Sequence, residues 1–207
     1  NQMTKINQKP KEQIFFPTEI YYSPVSKLVQ LGITVDQKIL FPKEYPYTSS
    51  TTKILRENFS ELSEEVFSNF KISKEDLVID IGSNDGNLLS NFKNYTRVLG
   101  VTPENIGKIA IEKGIPTILE YFTKKLSLNI IKNYGKAKIV TATNVFAHID
   151  NINEVLDSIY KLLQDDGIFI SESHYLQTLV EQNQYDTIYH EHLRYYSLSS
   201  LEYLFNK

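Results

Sequence analysis

Leu77-Val-Ile-Asp-Ile-Gly-Ser-Asn-Asp-Gly86 decides the fold. Four apolar residues around Asp80 read as a buried parallel strand, and Gly82 closes it at once in a tight turn. Gly86 ends that turn, and Asn87-Leu-Leu-Ser-Asn-Phe92 takes up helical spacing. Strand, glycine turn and helix together make a place where backbone approaches a ligand with no Cβ in the way. The spacing is Asp-x-Gly-x-x-x-Gly. It is neither the Gly-x-Gly-x-x-Gly of dinucleotide binders nor a phosphate loop, since no Gly-Lys-Ser/Thr follows. A tight strand-to-helix turn in any α/β domain would share the pattern, so the flanking sequence has to discriminate.

Downstream the alternation is regular. Arg97–Val101 reads as a second strand followed by a helix over 104–113, and Ile115–Leu119 as a short third strand followed by a helix over 123–133. Ala137–Ala142 is a fourth strand with a helix over 151–163, and Asp165-Asp-Gly167 turns into a fifth strand, Ile168–Glu172. Such alternation implies right-handed crossovers and a parallel sheet covered on both faces, with ligands at the carboxyl ends of the strands. Upstream, a long helix is expected from about Ser50 to Phe70. Ile54, Leu55, Phe59, Leu62, Val66 and Phe67 share one of its faces, and Ser49-Ser-Thr-Thr52 supplies capping hydroxyls. Residues 1 to about 18 read as a polar arm, Glu19–Leu31 as a short strand or two, and 198–207 as an amphipathic helix.

At 207 residues the chain suits one ordinary domain plus an arm. A net charge of −3 gives no electrostatic footprint for nucleic acid. No apolar run is long enough for a membrane span and no secretory signal opens the chain, so the expected setting is cytoplasmic. With no cysteine, disulfides, thiolate zinc sites and cysteine nucleophiles are excluded together. Fourteen tyrosines and eleven phenylalanines stand against no tryptophan, and many of the tyrosines sit in polar segments suited to a polar ligand pocket.

Chemistry-bearing residues cluster just past the strand ends. The first turn, Asp80, Gly82, Ser83, Asn84, Asp85 and Gly86, has the pattern expected where adenosylmethionine, which has no phosphate to cradle, lies across a strand-to-helix turn. After the second strand come Thr102, Pro103, Glu104 and Asn105. Nucleoside-binding α/β domains often place an acid there for the ribose hydroxyls. Thr102 occupies that position, which leaves Glu104 or Asn105 to serve. After the fourth strand, Asn144 is a candidate to orient the amino-acid end or the adenine and Phe146 to pack on a ligand ring, with Val145 between them a further cofactor candidate, while His148 reads as a helix-start histidine satisfied locally. Asp186-Thr-Ile-Tyr-His-Glu-His-Leu-Arg-Tyr-Tyr196 gathers two of the four histidines, two acids and three tyrosines. Tyr189, His190, Glu191 and His192 would be costly to bury unpartnered, so they are expected to face a wet or ligand-filled cavity. A solvated loop is the plainer alternative. His-x-His lacks a further zinc ligand at a recognisable spacing, and Arg194 stands where a His-Glu-x-x-His motif needs its second histidine. A near-neutral histidine base with tyrosine hydroxyls to hold an oxyanion suits the cluster better.

Asp80-Ile-Gly-Ser-Asn-Asp-Gly86, Asn144-Val-Phe-Ala-His-Ile149 and above all Asn183-Gln-Tyr-Asp-Thr-Ile-Tyr-His-Glu-His192 resemble the adenosylmethionine-dependent sugar C-methyltransferases, which act on nucleotide-linked keto-deoxysugars. The resemblance runs from about Leu28 to the last residue. It implies a Rossmann-like class I methyltransferase sheet, adenosylmethionine as cofactor with adenosylhomocysteine as product, His192 as general base, and Tyr189 and Glu191 in its hydrogen-bonding surroundings. Tyr45-Pro-Tyr47-Thr-Ser-Ser50 looks like the family's tyrosine-bearing segment, which adds Tyr47 to the candidates. Two further readings remain, a non-catalytic binding subunit on the same fold and an O- or N-methyltransferase on a small metabolite.

The chain also departs from the family. Members open with a small zinc module held by paired Cys-x-x-Cys motifs, and here the matching place reads Ser23-Pro-Val-Ser26. Residues 1–48 are therefore expected to be an arm or module remnant without zinc, and 49–207 the methyltransferase domain. The family's sixth and seventh strands and its C-terminal domain would follow Lys207. The expected sheet is 3-2-1-4-5, with the fifth strand's edge covered by a homodimer mate, a partner chain or the 174–207 segment.

Overall fold

The computed structural model describes residues 7, 9, 14–44 and 47–206, in two compact units. Most of the expected polar arm, together with Tyr45, Pro46 and Lys207, lies outside the described residues.

The smaller unit takes in the described residues up to Pro42, then 147–150 and 173 onward. Where a short strand or two is expected, β1 (Ile20–Tyr22) and β2 (Val29–Leu31) form an antiparallel hairpin, and a third strand joins β2 from far along the chain, β8 (Arg194–Tyr195). Ser23 and Ser26 form the hairpin turn, where the Ser26 amide donates to Ser23 Oγ at 3.2 Å. The places that would hold zinc-ligand cysteines thus serve a β-turn. A short helix α1 (Gln37–Leu40) is capped by Asp36, which accepts from the Lys38 amide. Leu31, Leu179 and Tyr195 form the unit's small core.

The larger unit, 43–146 with 151–172, carries the parallel sheet. Its elements are α2 (Lys53–Asn69), β3 (Leu77–Ile81), α3 (Asn87–Ser90), β4 (Arg97–Val101), α4 (Gly107–Glu112), β5 (Thr117–Ile118), α5 (Lys124–Tyr134), β6 (Ala137–Thr143), α6 (Ile152–Leu162) and β7 (Leu163–Glu172). The order is β5-β4-β3-β6-β7 with all pairs parallel, which counted from Leu77 is the expected 3-2-1-4-5. All five residues of β3 are buried, as a central parallel strand requires. Phe59 and Val66 of α2 pack with Val78, Leu88, Leu89, Phe92 and Ile139 into one core. In the smaller unit, helices α7 (Leu176–Glu181) and α8 (Leu198–Phe205) complete the chain, the latter opened by a Ser197/Ser200 capping box.

Several local expectations are corrected. Ile54 belongs to the apolar periodicity of α2 but is 81% exposed, because it sits in the first turn, ahead of the stretch that meets the sheet. The Ser49–Thr52 hydroxyls do not cap α2: Thr52 is the N-cap and makes no side-chain cap bond, while Ser49–Thr51 form a separate 3-10 turn. Phe146, expected against a ligand ring, is fully buried against Phe169 at 5.6 Å between centroids. The fifth strand starts at Leu163 rather than Ile168, with its register against β6 shifting across Asp165-Asp-Gly167.

These differences give a paired expectation. Phe59→Ala should cost about 3–5 kcal/mol through the cavity it leaves, while Ile54→Ala stays within about 0.5 kcal/mol. Urea midpoints for the two variants check it, and equal losses would contradict this burial pattern.

Candidate functional site

The larger unit brings the first-turn residues together at the carboxyl end of β3. The Gly82 and Ser83 amides both donate to Val101 O, at 2.7 and 3.1 Å, so the turn folds over the end of β4. Gly82 (φ +79°), Asn84 (φ +49°) and Gly86 (φ +77°) are all left-handed. A Cβ on Gly82 would overlap Val145 Cγ2, and one on Gly86 would lie 2.8 Å from both Ala110 and Ile115. The turn's glycines are therefore demanded by backbone conformation and by neighbouring side chains together.

Asp80 is buried beneath this turn and accepts from Thr141 Oγ1 at 2.7 Å. Burial pushes its pKa up to about 7, against the opposing effect of that hydrogen bond. Asp85 is also wholly buried, with a different balance. Burial works to raise its pKa, but hydrogen bonds from Ser49 and Ser50 and the Lys113 ammonium at 3.1 Å outweigh it and hold the carboxyl below the usual carboxylate range. The side chains of Asn84 and Asp85 point to the 47–51 segment: Asn84 Nδ2 donates to Tyr47 O, the Ser49 amide to Asn84 Oδ1, and Ser49 Oγ to Asp85 Oδ1. Ser83 Oγ is buried without a hydrogen-bond partner among the described residues.

At the end of β4, Thr102 Oγ1 donates to the carboxylate of Glu104, and both residues are buried. An acid is thus present at the strand's end, two residues beyond the place usual for it. Asn105 is used elsewhere, its amide and side chain bonding Lys43 O and Glu44. Pro103, between Thr102 and Glu104, is half-buried. After β6, Asn144 (φ +54°) pairs through both its amide and its side chain with Glu172, at 2.8 Å each.

The smaller unit gathers the histidines around His192. Its Nδ1 lies 3.0 Å from Thr187 O, and since a carbonyl only accepts, the proton sits on Nδ1. Nε2 is left with its lone pair, 3.1 Å from the Tyr189 hydroxyl. His148 and His174 stand 5.1 and 4.7 Å away between ring centroids, and Tyr195 lies edge-on at 6.4 Å. Burial above all, with the His148 and His174 rings adding to it and the Thr187 bond opposing, lowers the His192 pKa to about 4. Burial, then the Glu191 charge, raises that of Tyr189. His148, expected to be satisfied locally, is held from afar as well: its Nδ1 meets Glu191 O at 2.5 Å, across 43 positions. Glu191 is buried, and His190 turns to Phe16, with Nε2 3.0 Å from its carbonyl. His174 carries no motif in the sequence, and nothing short of the fold brings it to His192. Among the described residues no group of three or more histidines and acids is arranged to hold a metal ion.

Comparison with known proteins follows these lines. A family model described as a methyltransferase domain matches residues 50–207. The C-methyltransferase NovU of Streptomyces niveus is 34% identical over 195 residues, 93% of this chain and 46% of its own, so the chain spans about half the length of that relative. A SAM-dependent methyltransferase from Archaeoglobus fulgidus superposes with a TM-score of 0.58 at 16% identity, over 83% of this chain and 73% of its own. The plantazolicin methyltransferase BpumL, solved in complex with SAH, superposes with a TM-score of 0.53 at 14% identity, over 72% and 60%. These two likenesses bear on the fold.

The His192 environment makes a pH-dependent contribution to stability. The unfolded imidazole titrates near 6.5 and the folded one near 4. Between those values the unfolded chain binds the extra proton, so the contribution is fully present above about pH 6.5 and is lost as pH falls toward 4. A shift of that size corresponds to about 3 kcal/mol. Urea midpoints should drop between pH 7.5 and 5 by more in the wild type than in His192→Gln; parallel losses would contradict a neutral buried ring.

Proposed function

We infer the activity from one premise: this chain belongs to the methyltransferase domain family. In our reading it is an S-adenosylmethionine-dependent enzyme that methylates the carbon next to a ketone on a nucleotide-linked deoxysugar, with His192 as general base. The observation that carries the reading is the His192 ring, buried and neutral, with its tautomer set by Thr187 O and its Nε2 facing the Tyr189 hydroxyl. The similarity to a C-methyltransferase supports carbon as the acceptor atom. Residues 49–207 carry the methyltransferase domain in this reading, and 1–48 are the remnant of a small zinc-type module.

The larger unit's residues fit the cofactor. A carboxylate can accept from both hydroxyls of a ribose, and Glu104 stands buried at the end of β4 where Thr102 alone offers no such pair. The backbone of Gly82, Ser83 and Gly86, with Asp80 beneath, would hold the amino-acid end, and Pro103, Asn144 and Val145 the remainder. S-adenosylmethionine supplies, when bound, the electrophilic methyl that a carbanion can take.

The chain's own residues supply the rest. A carbon–hydrogen bond next to a ketone breaks when His192 Nε2 takes the proton, and the ring becomes an imidazolium still anchored through Nδ1 to Thr187 O. To act, Nε2 gives up its hydrogen bond with Tyr189, which frees the phenol to donate to the enolate oxygen. Stabilising that oxygen is the larger part of the task, because an unassisted enolate lies far uphill of a base with so low a pKa. Glu191 and His148 hold the loop that carries the pair.

Two measurements test this reading. With a nucleotide-linked keto-deoxysugar in deuterated water, His192→Ala should lose methyl transfer by about 10²–10⁴-fold and lose deuterium uptake at the α-carbon, with SAH binding unchanged. A product carrying the new methyl group on oxygen or nitrogen, read by NMR, would overturn carbon as the acceptor. Separately, Glu104→Gln should weaken SAH binding by about tenfold or more while Asn105→Ala leaves it alone, read by calorimetry. Equal effects would remove Glu104 from the ribose site.

A further inference from the structure

Within the larger unit, the turn assigned to the cofactor makes an attachment that the proposed chemistry does not use. Hydrogen bonds run from it, and from the first residue of α3, to the 47–51 segment. Asn84 both donates to Tyr47 O at 3.1 Å and accepts from the Ser49 amide at 2.9 Å, closing a two-bond clasp on the backbone. Asp85 accepts from Ser49 Oγ at 2.6 Å, and Asn87 Nδ2 reaches Ser49 O at 3.5 Å. The second oxygen of Asp85 is held by Lys113, just past the end of α4. Ser49 and Asp85 are both buried, so these bonds are made away from water, where losing one partner strands the other. Tyr47 stands half-exposed at the near end of the segment, its ring close enough to the turn for the Asp85 charge, after burial, to raise its pKa.

The conformation of Asn84 fits this role. At φ +49° the residue costs less than most non-glycine residues would, and a short amide there has both a donor and an acceptor to offer an adjacent backbone. Its side chain is spent on the segment and its backbone on the turn.

We propose that Asn84 and Asp85 are positioning residues that fasten Tyr47–Thr51 as a strap onto the glycine turn, so that strap docking and cofactor binding reinforce one another. The proposal rests on the methyltransferase reading for the identity of the ligand and on the hydrogen bonds for the strap. A ligand that stiffens the turn stiffens the clasp; by linkage the factor by which the docked strap strengthens the ligand is the factor by which the ligand strengthens docking, so loosening the strap weakens the ligand by up to that factor.

The test uses strap-side and turn-side variants of the full chain. Ser49→Ala touches only the strap and should weaken SAH binding about tenfold, the loss expected for one buried hydrogen bond to a charged group, with Ser49→Thr restoring it. Asn84→Gly keeps the left-handed backbone while removing the amide, and should speed hydrogen exchange at residues 48–51 without any ligand present. SAH should slow exchange there in the wild type and much less in either variant. If SAH binds and exchange at 48–51 does not change, or if Ser49→Ala binds SAH as the wild type does, the coupling is overturned. Failure of the wild type to bind SAH would instead overturn the cofactor reading, and the ligand-free exchange of Asn84→Gly would still decide whether the clasp exists.

Discussion

A central strand buried on both faces and hydrogen-bonded on both edges has only one way out of the sheet. β3 is such a strand, and the five residues after Ile81 must reverse direction while packed closely against their neighbours. Three left-handed residues in five positions accomplish this, with Val145 closing on Gly82 and with Ala110 and Ile115 closing on Gly86. The rest of the larger unit's chemistry depends on that constraint. α3 starts where the turn ends, the end of α4 contributes Lys113 to Asp85, and the acid at the end of β4 lies beside the strand whose Val101 carbonyl receives the turn's two amides. A turn so enclosed presents backbone rather than side chains to a ligand, which suits a cofactor without phosphates.

The smaller unit solves a different problem, keeping one histidine free of its proton. In water an imidazole is half-charged at pH 6.5. Around His192, burial disfavours the cation, two more imidazoles discourage it further, and the Thr187 carbonyl pins the remaining proton to Nδ1. The result is a lone pair that stays unprotonated at neutral pH, facing the Tyr189 hydroxyl, and holds a proton poorly. Under the proposed function such a base would remove a carbon-bound proton only where the developing oxyanion is stabilised at the same moment, and the hydroxyl of Tyr189 is the group already at hand. In that reading base and donor belong together physically, since neither would be effective alone.

How much of this was legible in the sequence differs by kind of residue. The strand–helix alternation, the glycine turn and the Tyr189–His192 string could be read because each rests on local periodicity or a contiguous motif, whereas the strand order came only from the family resemblance. Ile54 could not, because periodicity locates a face of a helix but not how far along its axis the partner extends. The hydroxyls of Ser49–Thr52 read as caps, since the local preference is real; tertiary acceptors on Asn84 and Asp85 took Ser49 instead. His148 and His174 lie 44 and 18 positions from His192, and only packing within the smaller unit makes them its neighbours. Glu104 was visible only as one of two candidates, and the difference between it and Asn105 lies in which of them another segment already occupies.

The same distinction explains Asn84 and Asp85. A motif places residues at a ligand turn without saying whether their backbone or their side chain meets the ligand. Where glycines bring the backbone forward, the intervening side chains are turned away from it and are free for another task. A buried carboxylate in that position needs partners, and Asp85 finds a hydroxyl on one oxygen and an ammonium on the other. Lys113 lies at the end of α4, so the charge that keeps Asp85 ionised comes from a helix of the sheet, whereas the hydroxyl comes from the strap. Because both act on one carboxylate, a shift of α4 and a shift of the strap are felt at the same atom group, and the turn that carries it is the one the ligand would occupy.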